Sequence, residues 1–272
     1  MKRGKEGVDD GVEPVLTLAG SNLSIDIRDD QILRSIRACF SRPGFFHTVI
    51  AFAVSGTVLN TISTYLDSLL RLVGAGRGAV GIVGGSFQVI VMISSMMFGK
   101  ITDKGRAYYC VVIGLLVMGA FALAECAINL EGERGTMLKW TLLFVAIFVG
   151  PLQPVATELG VEVVYPLSGN TVLVVQQLVS NLASALFIPF FQQAKDFAVE
   201  GDGFERPQYS FSFNVLMAMH VIATLLFSTF NGSYKRFEHE KRRKEEQSDP
   251  NKGPFLSLHM NDIVDEEQAL LV

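Results

Sequence analysis

Charge is scarce in this chain. Asp, Glu, Lys and Arg make up 18% of its 272 residues, where soluble domains carry about 25%, and much of that charge falls toward the two ends. Cysteine is scarcer still. Cys39, Cys110 and Cys126 are an odd set without metal-ligand spacing, which argues against a disulfide framework and a cysteine metal centre; they read as small buried hydrophobes. No phosphate-binding glycine loop, HExxH helix or serine elbow occurs, so neither an enzyme nor a bound cofactor or metal is expected. The basic run near the C-terminus has no interleaved aromatics, which argues against a nucleic-acid partner. Residues 1–30 lack the apolar core of a signal peptide, so membrane insertion is expected to use the first apolar helix.

What is abundant is apolar length. Hydrophobic residues reach 49%, and six stretches nearly free of charge begin near Phe45, Val80, Ala107, Trp140, Val172 and Phe211. Each is close to the ~20 residues that a helix needs to cross a bilayer. Lipid offers no partner to a backbone N–H or C=O, so each stretch must satisfy its own as an α-helix. The expected fold is all-α: a polytopic membrane protein whose six transmembrane helices form one bundle. Residues 1–43 read as a polar segment ending in a short amphipathic helix, with Ile32, Ile36 and Phe40 on one face. Residues 44–231 read as the bundle, and residues 232–272 as a disordered tail. Gly150-Pro151 and Pro154 predict a kink or unwound turn in the fourth span. Gly81 and Gly85 form a small-xxx-small pair that permits close helix approach.

An even number of spans places both termini on one side. With that side cytosolic, the inner segments collect Arg34, Arg37, Arg42, Lys100, Lys104, Arg106, Lys235, Arg236 and the run Lys241, Arg242, Arg243, Lys244. The outer loops keep only Arg71, Arg77, Arg134, Lys139, Lys195 and Arg206, so both termini are expected in the cytosol. The run itself is suited to water or to anionic lipid. Residues 266–271, EEQALL, resemble an endolysosomal sorting signal, which leaves the plasma membrane and an endolysosomal membrane both open.

Two short segments carry a further resemblance. Residues 99–106 read GKITDKGR. There Gly99 lets helices touch, Asp103 can cap a neighbouring helix, and Lys104 and Arg106 can form switchable ion pairs, as a gate requires; an ordinary positive-inside loop is the alternative. This link resembles the signature loop of the major facilitator superfamily. Residues 154–166 read PVATELGVEVVYP. Pro154, Glu158, Val161, Glu162, Tyr165 and Pro166 there are similar to a string found in transporters related to the feline leukaemia virus subgroup C receptor. Ser63 and Thr64, within ISTYLD, resemble the seventh helix of that branch. The resemblance covers roughly residues 44–230 and only the second six-helix half of the family. It implies one bundle of a major facilitator fold, with Glu158 and Glu162 placed for gating ion pairs. The family's solutes, choline-like cations or heme, do not transfer: Asn60 stands where an aromatic ring is common, and Ser180 where a glutamine is expected.

Polar residues inside spans are functional candidates whatever the family. Thr57, Asn60, Thr64 and Asp67 recur at helical spacing on the first span. Gln177, Asn181 and Ser184 do so on the fifth, with Gln176 and Ser180 alongside. Asn60, Thr64, Gln176, Gln177 and Asn181 are the candidate solute-binding residues, lining a cavity near the midplane; the alternative is that they only join helices. Glu125, in the third span, is a candidate proton-coupling acid or an interfacial residue that snorkels outward. His220, mid-way along the sixth, reads as structural. The expected function is transport of a small organic solute by alternating access, the bilayer and a second six-helix half being the partners. A non-transporting receptor or scaffold and an oligomeric six-helix channel are the rivals.

Overall fold

The computed structural model describes residues 33–105, 107–131, 134–196 and 209–248. Among them regular structure is helical throughout, with no strand. A first helix, α1, occupies residues 33–41. It is followed by α2 (Phe45–Leu72), α3 (Arg77–Gly105), α4 (Tyr108–Glu131), α5 (Gly135–Val149), α6 (Leu152–Val164), α7 (Gly169–Gln193), α8 (Ser210–Ser228) and α9 (Lys235–Ser248). Six spans are long and apolar enough to cross a membrane, and α5 with α6 make up one of them. The protein is a multi-pass membrane protein. The 28 residues of α2 rise about 42 Å, more than the ~30 Å of a hydrocarbon core.

The fourth span breaks at its prolines. Gly150 and Pro151 separate α5 from α6. Pro151 and Pro154 have no N–H, so carbonyls of the preceding turn lose their usual partners. Hydroxyls of neighbouring helices bond to other carbonyls at the break. Ser55 of α2 donates to the Val149 carbonyl, the last of α5, at 2.7 Å, and Ser94 of α3 donates at 3.3 Å to the Ala146 carbonyl, which also accepts the Gly150 N–H. Side-chain hydroxyls are among the donors that can re-satisfy a broken helix inside a membrane.

α2 is the central helix, buried along most of its length, while α3 is mostly uncovered. α2 packs chiefly on α7 and α6, α3 on α5 and α6, and α4 on α5 and α8. One side of the bundle therefore runs α7, α2, α6, α3, with α8, α4 and α5 behind it. Gly56 of α2 explains how closely its neighbours can approach. A Cβ there would overlap the Ser180 hydroxyl of α7 and lie 2.7 Å from the Gln153 amide nitrogen of α6.

α3 runs through to Gly105, so Asp103 and Lys104 occupy its last turn rather than a loop. No proline interrupts that turn. Thr102 is buried and its hydroxyl bonds back to Phe98 at 2.7 Å. Arg106 lies outside the described residues, as do residues 1–32, with Ile32, and residues 249–272, with the EEQALL segment.

Where a disordered tail was expected, residues 235–248 are helical. They carry no apolar run, and their order comes from charge and from docking. Arg236 pairs with Glu240 at 3.2 Å, and Lys241 with Glu245 at 3.9 Å, each one turn apart. The connection from α8 is held by ring contacts: Tyr109 stacks on Phe227 and Phe230, and Tyr108 lies 5.9 Å from Tyr234. Gly44, with φ at 91°, packs on Gly232 so closely that a Cβ would sit 2.6 Å from the Gly232 Cα. Only glycine suits both that angle and that approach.

Candidate solute-facing site

An amide on a membrane helix has to be paired, buried against protein or turned toward water, because lipid cannot serve it. The polar side chains of α2, α3, α6 and α7 accordingly fall into those that build the bundle and those left facing out.

Gln176 builds. It is 0% exposed. Its amide nitrogen donates to the Thr48 hydroxyl of α2 at 3.2 Å and to the Ala156 carbonyl of α6 at 3.1 Å. Its amide oxygen accepts from the Thr157 hydroxyl at 2.8 Å. One side chain thus ties three helices together, and nothing of it remains for a ligand. Thr57 is buried and bonds back to Ala53 at 2.8 Å. Ser180 is buried against Gly56.

Asn60, Thr64, Gln177 and Asn181 face outward. The Asn60 amide nitrogen donates to the Ser184 hydroxyl at 3.0 Å, joining α2 to α7, yet the residue remains exposed. The Thr64 hydroxyl donates to the Asn60 carbonyl at 2.7 Å. The Gln177 amide nitrogen donates to the Asn181 amide oxygen at 2.9 Å along the surface of α7. α3 adds Gln88, exposed, whose amide donates to Ser63 of α2 at 3.4 Å. Gln153 of α6, half-buried, lies beside Gly56. Gln88 and Gln153 were not singled out from sequence. Each is an isolated glutamine in an apolar helix, so no periodic stripe marks it, and only the helix order brings it beside α2, Gln88 at Ser63 and Gln153 at Gly56.

The outer surface of α7 is divided lengthwise. Gln177 and Asn181 occupy one strip. Beside it Leu178, Leu182 and Leu186 are 63%, 59% and 70% exposed. A leucine strip suits lipid; an amide strip does not. The strip of amides continues onto α2 and across to α6 and α3.

The other sequence candidates lie elsewhere. Glu125 is exposed on α4, a helix of the opposite side, and is not brought near Asn60 or Gln177. His220, buried on α8, shares a hydrogen bond with the Leu116 carbonyl at 3.0 Å and binds α8 to α4. Asp103 and Lys104 are exposed at the end of α3. Glu158 is exposed at the middle of α6, while Glu162, near its end, is almost fully buried.

Glu162 has a partner that the sequence did not suggest. Its carboxylate accepts the backbone N–H of Phe237 at 3.1 Å. Phe237 is the third residue of α9, whose first-turn N–H groups have no partner within the helix. A carboxylate there satisfies a donor and suits the positive end of the helix dipole. Tyr165 supports the same joint, its hydroxyl 3.4 Å from His239 Nδ1 and the two rings 5.2 Å apart. Arg236 is drawn in as well: burial opposes its charge, but Glu240, Glu162 and Glu158 outweigh that and raise its pKa.

No protein-family profile matches the chain. It is similar to solute carrier family 49 member A3 of Xenopus tropicalis, 21% identical over 220 residues, an alignment that covers 76% of this chain and 45% of that protein. The chain therefore spans less than half the length of this relative.

Proposed function

We propose that this chain is one six-helix bundle of a membrane transporter of the major facilitator type, equivalent to a second half, and that the α7–α2–α6–α3 side is the wall its solute meets. The observation that carries this reading is the amide strip of Asn60, Gln177 and Asn181 beside the leucine strip of α7. Exposed amides at the middle of a span belong to a water-filled cavity or a second bundle. Similarity to a solute carrier over most of the chain supports the class. Asn60, Thr64, Gln177 and Asn181 would touch the solute, and Gln176 would hold the helices that present them. The α9 end would face the cytosol, by the distribution of Lys and Arg. Alternating access would then rock this bundle against a second one, the broken α5–α6 span supplying the flexible element.

Cysteine accessibility tests this without knowledge of the solute. In a Cys110→Ser background, Asn181→Cys and Leu182→Cys proteins in liposomes are exposed to a charged, membrane-impermeant maleimide. Labelling at 181 and protection at 182 is the expected pattern. Equal protection at both would mean that lipid or protein covers the amide strip, and the transporter reading would fall.

A further inference from the structure

We infer that the α4–α8 face of the bundle holds one membrane lipid, a phospholipid with an ammonium-bearing headgroup. An acyl chain of that lipid fills a groove between the two helices, and its ammonium is drawn to Glu125. The inference goes beyond the transporter reading and does not rest on it, because this face lies behind the α7–α2–α6–α3 wall.

The groove measures about 310 Å³ and is lined by residues of α4 and α8. Phe121 and Leu225 are its most exposed lining, at 64% and 63%. Ala120, Ala124 and Thr224, also in the lining, are half-buried. The alanine side chains end at Cβ, so the space in front of them stays open. Thr224 has the one hydroxyl in the lining, and it donates to the His220 carbonyl at 2.9 Å. The groove therefore suits an apolar occupant. Left empty at the lipid boundary, its walls would forfeit dispersion contacts. A helix laid on this face would rest on Phe121 and Leu225 and leave the alanines uncovered, whereas a single acyl chain can enter between them. Residues 117–124 span about 10 Å along α4, within the ~15 Å depth of one leaflet's hydrocarbon.

Glu125 sets the polar end. It adjoins Ala124, one turn beyond Phe121, about 9 Å along the axis from Glu131 at the end of α4. Residues 108–130 and 210–228 contain no other Asp, Glu, Lys or Arg. Glu125 is exposed, and among the described residues its carboxylate has no hydrogen-bond or ion-pair partner. A carboxylate on the outer face of a span is costly until it reaches the interface or meets a cation. A headgroup ammonium is a cation that the bilayer itself supplies, and an N–H donated to a carboxylate is among the strong hydrogen bonds. Arg134 and Lys139 stand at the same end, at the start of α5. The phosphate that suits them is common to every phospholipid. Glu125 is thus the group that distinguishes an aminated headgroup from an anionic one.

Tryptophan quenching tests this. In the full-length chain, Trp140→Phe removes the single native tryptophan and Phe121→Trp places a reporter at the groove. The protein is reconstituted into vesicles of equal parts phosphatidylethanolamine and phosphatidylglycerol. Brominated acyl chains, which quench tryptophan on contact, are carried by one lipid or by the other, so the composition stays fixed. Quenching should report about a fivefold preference for phosphatidylethanolamine, the upper range for one exposed ion pair. Adding Glu125→Gln should abolish it. Leu186→Trp in place of Phe121→Trp, on the leucine strip of α7, should show no preference. Equal quenching by both lipids at position 121 overturns the inference, as does a preference for phosphatidylglycerol or one for phosphatidylethanolamine that survives Glu125→Gln. Weak quenching by both would mean that protein, such as a second copy of this chain, covers the groove, and overturns it too. Should Phe121→Trp fail to fold, Leu225→Trp on the other helix gives the same readout.

Discussion

The hydroxyl of Ser55 reaches across from α2 to the carbonyl of Val149, 2.7 Å away, at the point where α5 gives way to α6. A break in a membrane helix is tolerable only while its freed carbonyls have partners. Here the partner is a single small side chain on the central helix. Replacing Ser55 by alanine should lower stability by about 1–3 kcal/mol, the cost of a buried acceptor left unpaired. Replacing the exposed Ser63 should change it little. Thermal unfolding of the two variants in the same detergent makes the comparison.

Gln176 and Gln177 are adjacent and do different work. Gln176→Ala strips partners from Thr48, Ala156 and Thr157 and should destabilise the bundle by about 1–3 kcal/mol. Gln177→Ala removes only an exposed contact with Asn181; it should leave melting nearly unchanged and impair solute binding. A pair of variants with the reverse pattern would move the solute-facing wall a third of a turn around α7.

Thiol chemistry should be confined to one position. Cys110 is exposed, while Cys39 and Cys126 are buried. Burial pushes the Cys39 thiol up to about 11, against a smaller opposite effect of Arg42. Near neutral pH almost none of it is thiolate, the reactive form. Mass spectrometry after maleimide treatment should find modification at Cys110, and at Cys39 only after unfolding.

The joint between α6 and α9 makes a separate prediction. Phe237→Pro removes the N–H that Glu162 accepts, and proline is tolerated in the first turn of a helix. Phe237→Ala removes the ring but keeps the N–H. Amide exchange across residues 238–245 should quicken more in the proline variant, and Glu162→Ala should match it, at a cost of about 1 kcal/mol, typical of a lost helix cap. Equal exchange in all three would mean that the ring contacts alone hold α9.

Much of this architecture could be read in the sequence. Six stretches nearly free of charge require six helices, and Gly150-Pro151 requires a break, because lipid leaves a backbone no other choice. The stripe of Asn60, Thr64, Gln177 and Asn181 follows from helical spacing. What spacing could not resolve was phase. Successive residues differ by about 100° around a helix, so Gln176 and Gln177 look alike until neighbouring helices are placed. Residues 235–248 escaped for another reason. Their helix rests on Arg236–Glu240, Lys241–Glu245 and a carboxylate that arrives from α6, and only the first two are visible in local sequence. Gln88 and Gln153 needed the order of helices around α2.

The contact of Gly44 with Gly232 has a further consequence. The chain enters the bundle and leaves it at one point, so the six spans form a closed cassette with a single doorway. A sequence fused at either edge would start from that same place. A short linker could join residue 232 directly to residue 44, and new ends could be opened at the far side, near residues 74–76. Domains whose ends meet in this way tolerate such permutation. A permuted bundle that still melts cooperatively would make this protein a module for assembling paired-bundle carriers in either order.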